Sequence, residues 1–253
     1  MPELDAGQRP AVVVTGAAHG IGAAIAARFA DAGHPVVGLD LDGERLVATV
    51  SGWPGSGHRA VPGDAASPDD VARACDLAAD TAGGLGTLVA NAGHAKAETS
   101  VDYPAADWDA MLRVHLTGAM VGAQQAVSRM RAGGGLVLMS SLNGLLGFPR
   151  RTAYGAAKAG VAGLVRGLAA EWAQQGIRVN GIAPDPIATE LSADFIRQGV
   201  IDEQAFLDRI PMNRFGRPAE VAELAYFLGT PLSAYITGVV VPIDGGWSAQ
   251  GIG

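Results

Sequence analysis

The chain has 253 residues, 49% of them hydrophobic and only 17% charged, a balance that allows a large core covered on two sides and excludes extensive disorder. The formal charge of −7 and the lack of a Lys/Arg run count against nucleic acid as a partner, and a single cysteine, Cys75, excludes an internal disulfide. No Cys/His cluster has metal-ligand spacing, no stretch nears the ~18 uninterrupted apolar residues of a membrane span, and the polar start "MPELDAGQRP" lacks the apolar run of a signal peptide. A soluble cytoplasmic protein acting on a small molecule, with no membrane partner, is expected.

Short β-rich runs alternate with alanine-rich helical stretches from one end to the other. "AVVVT" (11–15) predicts the first strand, followed by a helix near 20–32 and a second strand "PVVGL" (35–39). A weaker strand, "HRAVP" (58–62), precedes a helix near 67–82. Strand "GTLVAN" (86–91), a helix over 104–131, strand "GLVLMS" (135–140), a helix over 153–175 and strand "IRVNGIA" (177–183) follow. Residues 184–217, rich in Pro and charge, read as an irregular segment long enough to be a functional lid. A helix near 218–229 and strand "ITGVVVPI" (236–243) close the pattern. Strands that are continuous apolar runs are buried on both faces, as in a parallel sheet flanked by helices. No composition shift divides the chain, so one α/β domain over 1–253 is expected, with 184–217 as a substrate-binding segment inside it.

Between the first strand and its helix, Gly16, Gly20 and Gly22 form a turn suited to phosphate. The backbone there can take φ > 0 and approach a pyrophosphate without a Cβ, and the helix start offers free N–H groups to the anion. Asp40, at the carboxyl end of the second strand, can accept both hydroxyls of an adenosine ribose and repel a 2′-phosphate. Its competing use is to cap the helix pattern "LDGERLVATV", a role that Asp42 can fill instead.

In "TAYGAAKAG" (152–160) a run of small residues carries Tyr154 and Lys158 four positions apart. Taken alone the pair could be an exposed phenol beside an exposed ammonium. At about 100° per residue, however, Val161, Val165, Leu168 and Trp172 fall on the same side, so the pair lies on the core-facing stripe. The opposite face, Ala156, Ala159, Gly160, Gly163, Gly167 and Ala170, with Arg166 at its edge, is too small and apolar for solvent and predicts a symmetric interface between copies of the chain.

Seven stretches in order, "TGAAHGIG" (15–22), "GDAAS" (63–67), "NAG" (91–93), "MSSLNG" (139–144), "YGAAK" (154–158), "RVNGIAP" (178–184) and "ITGVVVPIDGG" (236–246), resemble the short-chain dehydrogenase/reductase family. The resemblance covers nearly the whole chain. It implies a single Rossmann-like doubly wound domain, a seven-stranded parallel sheet with helices on both faces, and a homotetramer. It also implies cofactor contacts at Thr15, Gly16, His19, Gly20, Ile21 and Gly22 in the turn, and at Asp40 and Leu41 after strand two. Asp64 and Ala65 would meet the adenine, Asn91, Ala92 and Gly93 would line the cofactor path, and Pro184, Ile187 and Thr189 would flank the nicotinamide carboxamide. Ser141, Tyr154 and Lys158 match the family's catalytic triad, Lys158 also binding the nicotinamide ribose. A free phenol has a pKa near ~10, and a neighbouring Lys⁺ with an oxidised nicotinamide should lower it by about two to three units, roughly 3–4 kcal/mol.

Two positions depart from the family pattern. His115 replaces an asparagine whose main-chain carbonyl holds a water linking the catalytic lysine to solvent; the relay can survive, and His115 counts as a candidate catalytic residue. Asp185 replaces a glycine beside the nicotinamide pocket, where it could cap a turn, orient a polar substrate or face solvent; each use puts negative charge at the pocket mouth and would disfavour anionic substrates. The function implied is NAD-dependent oxidation of a secondary alcohol, or reduction of the ketone, with a sugar, polyol or biosynthetic hydroxy compound as substrate. The alternatives are a 3-oxoacyl-carrier-protein reductase using NADPH and a non-catalytic NAD-binding sensor or scaffold.

Overall fold

The structure, a computed structural model, describes residues 9–131 and 133–250. The polar start from which no signal peptide is expected lies largely outside the described residues.

Seven parallel strands form one sheet in the order β3-β2-β1-β4-β5-β6-β7. They are β1 (Ala11–Thr15), β2 (Val36–Asp40), β3 (Arg59–Pro62), β4 (Leu85–Ala90), β5 (Gly134–Met139), β6 (Ile177–Pro184) and β7 (Val240–Ile243). All seven expected strands are present. Alternate side chains of β1 go to opposite cores. Ala11 and Val13 join a cluster with Val71, Ala123 and Val165, and Val12 and Val14 one with Ile25, Leu46 and Val221. The first cluster belongs to α3 (Pro68–Ala79), α5 (Gly118–Val127) and α6 (Thr152–Trp172), the second to α1 (Gly20–Asp31), α2 (Gly43–Ser51) and α9 (Pro218–Gly229). Helices therefore cover both faces, and the doubly wound Rossmann-like reading stands. The order reverses between β1 and β4, so the carboxyl ends of these strands open a crevice.

Two expectations change in detail. The helix expected over 104–131 is broken into α4 (Ala105–Leu112), a π-type turn at Arg113–Thr117 and α5. The Gly118 N–H reaches back five residues to the Arg113 carbonyl, which inserts one extra residue into the turn around His115. The segment 184–217 is not irregular throughout: it holds α7 (Glu190–Arg197), started by a Thr189/Ser192 capping box, and α8 (Glu203–Arg209), capped by Asp202. Both are short, 8 and 7 residues, and little of either is buried, so neither carries the long apolar stripe that marks the other helices.

Candidate active site

The turn after β1 is held from behind. Asn91 donates its side-chain amide to the Thr15 and Gly16 carbonyls at 3.0 and 3.1 Å, while the Thr15 hydroxyl accepts from the Asn91 and Ala92 N–H groups at 3.0 and 3.1 Å. Gly16 has φ +68°, and a Cβ on Gly22 would stand 1.9 Å from the Gly16 carbonyl oxygen. α1 begins at Gly20 with no side-chain cap, which leaves its first N–H groups facing the crevice. Asp40 accepts from the Ala18 N–H at 2.9 Å and the Asp42 N–H at 3.0 Å. Asp42, as the alternative reading allowed, caps α2 by accepting from the Arg45 N–H.

One cleft joins this turn to the ends of β4, β5 and β6 and the start of α6. Of the residues singled out from the sequence, Gly16, His19, Gly20, Ile21 and Gly22 line it, with Asp40, Leu41, Asp64 and Ala65 further along. Asn91, Ala92, Gly93, His115, Ser141, Tyr154, Lys158, Pro184, Asp185, Ile187 and Thr189 complete its wall. Thr15 is the correction: it is 3% exposed and its hydroxyl serves the clasp just described, so it braces the turn and does not reach the cleft. Asp64 already binds Arg113 at 2.6 Å, and Thr189 is occupied in capping α7.

At the inner end, Lys158 is buried and donates to the Met139 carbonyl at 2.6 Å, with Nζ 5.5 Å from the centre of the Tyr154 ring. Burial pushes its ammonium down to about 7. Tyr154 behaves otherwise than the sequence argument expects. Burial, reinforced by the charge of Asp185, pushes the phenol up to about 12, while its bond with the Ser141 hydroxyl and the charge of Arg151 oppose the rise. Desolvation outweighs the groups that favour the phenolate.

Ser141 stands just past β5, and Asn143 fills its acceptor side: the Asn143 N–H and Nδ2 approach the Ser141 oxygen at 3.1 and 3.4 Å. Nδ2 also donates to Asp185 at 2.6 Å, which fixes the amide's orientation. A serine whose lone pairs are taken this way keeps its own proton to give, to the Tyr154 oxygen here and to a substrate oxygen when one enters the cleft. Asp185 is thus neither turn cap nor solvent group. Burial raises it to about 7, against the pull of Arg151 and Asn143.

His115 packs its ring edge-on to Tyr154 at 5.1 Å and is 5% exposed. Nε2 lies 2.6 Å from the His94 carbonyl, which requires the proton on that nitrogen, and Nδ1 is buried with no partner among the described residues. Burial and the charge of Lys158 push the imidazole down to about 2, so it stays neutral at any working pH. Gly93 makes room for it: a Cβ there would stand 2.0 Å from the ring.

The sequence reading passed over Arg151 and Asn143. Arg151 lines the cleft one turn before Tyr154, and its guanidinium sits 4.5 Å from the centre of the Phe195 ring. It brings a cation to the end where Asp185 alone was expected to set the charge.

A parallel sheet with a glycine turn, an acidic strand end and a Ser/Tyr/Lys cluster in one crevice defines an oxidoreductase of the Rossmann-like class. A family model described as enoyl-(acyl carrier protein) reductase matches residues 16–248. The chain is 37% identical over 243 residues to D-threitol dehydrogenase of Mycolicibacterium smegmatis, covering 94% of this chain and 92% of that protein. To 3-oxoacyl-(acyl-carrier-protein) reductase FabG of Thermotoga maritima it is 36% identical over 239 residues, covering 92% and 96%. Of an uncharacterized short-chain type dehydrogenase/reductase of Sinorhizobium fredii, 36% identical, it spans 43% of the length. The crystal structure of a putative gluconate dehydrogenase from Agrobacterium tumefaciens superposes with a TM-score of 0.88 at 30% identity, over 97% of this chain and 98% of that one. The chain belongs to the short-chain dehydrogenase/reductase family. No helix among the described residues is long and apolar enough to cross a membrane.

Proposed function

We propose that the protein is an NAD-dependent dehydrogenase/reductase of secondary alcohols and ketones. The observation that carries this reading is the convergence of Ser141, Tyr154 and Lys158 on one end of the cleft whose other end holds the glycine turn and Asp40. The residues fit a nicotinamide dinucleotide: the uncapped start of α1 and the absent Cβ of Gly22 leave a cradle for the pyrophosphate. A bound nicotinamide dinucleotide would supply hydride exchange with the carbinol carbon and, when oxidised, a positive charge. Ser141 donates its proton to the substrate oxygen and holds it beside the Tyr154 hydroxyl. Tyr154 takes the alcohol proton during oxidation or gives it to the ketone oxygen during reduction. Lys158 would hold the cofactor's ribose and, from its anchor on the Met139 carbonyl, would keep a positive charge near the phenolate. His115 acts through its main chain in the π-type turn, the neutral ring serving as packing.

Cofactor choice follows from Asp40, whose carboxylate would repel a 2′-phosphate and which has no arginine beside it in "LDLDG". With a panel of secondary alcohols, including polyols, kcat/KM for NAD+ should exceed that for NADP+ at least about tenfold, the penalty of one unfavourable buried charge contact. Equal or better turnover with NADP+ refutes the cofactor assignment.

The name of the Thermotoga maritima relative favours a second reading, reduction of a 3-oxoacyl carrier-protein thioester with NADPH. Asp40 and the net charge of −7, unsuited to an acidic carrier, count against it. The same assay with an acetoacetyl thioester decides between them. Turnover of any of these substrates excludes a non-catalytic NAD-binding scaffold.

We also propose a homotetramer in the cytoplasm. Ala156, Ala159, Gly163, Gly167 and Ala170 are exposed on the outer face of α6, where a charged surface would otherwise be expected, and a Cβ on Gly163 or Gly167 would meet nothing within 4 Å. Light scattering at micromolar concentration should give the tetramer mass; a monomer mass overturns the assembly.

A further inference from the structure

The Arg151 side chain is half-buried; burial lowers its pKa from the usual guanidinium range, while the charges of Asp185 and Tyr154 oppose the fall. One face of the guanidinium is covered by Phe195, and its planar set of five donors meets no acceptor among the described residues. A guanidinium stacked on one face keeps its donor edge for the cleft it lines, and the group that matches its fork with two parallel bonds is a carboxylate. The same cleft is lined by the apolar side chains of Phe148, Leu191, Phe195, Ile201 and Phe206. Arg151 stands at the N-cap of α6, three residues before Tyr154, and both side chains line the cleft. A substrate can therefore reach the phenol with its carbinol and the guanidinium with a second group.

We propose that Arg151 sets the substrate class by binding a carboxylate, so that the preferred substrate is a hydroxy acid or oxo acid with a hydrocarbon body packed against the phenylalanines. This deepens, and rests on, the dehydrogenase reading above, and it reverses the exclusion of anions drawn from Asp185 alone. Asp185 does not cancel the cation. Oδ2 is turned to Asn143, no ion pair joins it to Arg151, and near neutrality the carboxyl is only partly ionised. It does oppose a bound anion, so removing its charge should sharpen the preference.

The test is calorimetric titration of the full chain, with and without saturating NADH, using cyclohexanecarboxylate and its uncharged match cyclohexanecarboxamide. Wild type should bind the carboxylate at least about tenfold more tightly, as expected for a partly desolvated charged pair. Arg151→Gln should bring the ratio to within about twofold, and Arg151→Lys, which keeps the charge but loses the fork, should retain part of it. Asp185→Asn should raise the ratio. A wild-type ratio of one or less, a preference that survives Arg151→Gln in a variant that melts like wild type, or no binding of either compound at millimolar concentration overturns the proposal. The dehydrogenase reading fails separately, if no secondary alcohol is oxidised with either cofactor, because the binding ratio needs no turnover.

Discussion

Tyr154→Phe is expected to lower kcat by about a thousandfold or more while NADH affinity stays within about threefold of wild type. The change removes one oxygen from the inner end of the cleft and leaves Lys158 on the Met139 carbonyl and Ser141 on Asn143. A thousandfold corresponds to about 4 kcal/mol of barrier, within what one positioned proton-transfer group contributes. Burial holds the phenol at about 12, so the free protein presents a protonated tyrosine at neutral pH and is set to donate. In the oxidation direction the phenolate must be drawn out by added positive charge, which no neighbouring side chain supplies in full, since burial takes Lys158 itself down to about 7. His115→Ala should cost far less, about tenfold or below, because its ring is neutral and its Nε2 proton is committed to the His94 carbonyl. Steady-state kinetics with NADH fluorescence titration checks both. A phenylalanine variant keeping more than a tenth of the turnover would mean that another group is the base, and an alanine variant as inactive as the phenylalanine one would make the imidazole a proton carrier.

Gly22→Ala is expected to destabilise the fold by about 3 kcal/mol and to abolish measurable cofactor binding. The added carbon would stand 1.9 Å from the Gly16 carbonyl oxygen and 2.5 Å from the Asn91 amide nitrogen. Relief requires either the turn to open or α1 to move off the sheet. Both break the clasp in which Asn91 donates to Thr15 and Gly16. For a chain of this size, 3 kcal/mol lowers Tm by about 6–12 °C. Gly147→Ala, at an exposed glycine whose Cβ would meet nothing within 4 Å, is the control and should move Tm by less than about 2 °C. A thermal scan and an NADH titration of each variant suffice. An unchanged Tm with normal NADH affinity for Gly22→Ala would mean that the turn is not packed as described.

What could be read from the sequence was what depends on neighbours along the chain. Strands β1, β4 and β5 lie between two helical layers, so nearly every residue in them is apolar and the pattern has no polar alternation to confuse it. β3, at the sheet edge, exposes Arg59 and Pro62, and its signal is correspondingly weak. Tyr154 and Lys158 were legible because helical spacing alone puts them on the stripe that ends at Trp172. Contacts made across long stretches of chain were not. Arg151 gains its meaning from Phe195, and Asn143 from Asp185, which stands 42 residues later in the sequence. The π-type turn hid for another reason: a single inserted residue leaves the helical periodicity nearly intact on both sides of His115.

Asp40 has a consequence for how such a protein can change over generations. The carboxylate on which the proposed choice of NAD depends is also a strut. It joins the turn after β1 to the end of β2 by accepting the Ala18 and Asp42 N–H groups. A mutation that removes the carboxylate and puts no acceptor in its place, such as Asp40→Ala, leaves the part-buried Ala18 donor without a partner, at about 1–3 kcal/mol. A switch of cofactor through such a residue therefore cannot be a one-step change that is neutral for the fold. A lineage crossing that barrier must first gain stability elsewhere, or replace Asp40 with a residue that still accepts from Ala18, and only the second path leaves the turn as it now stands.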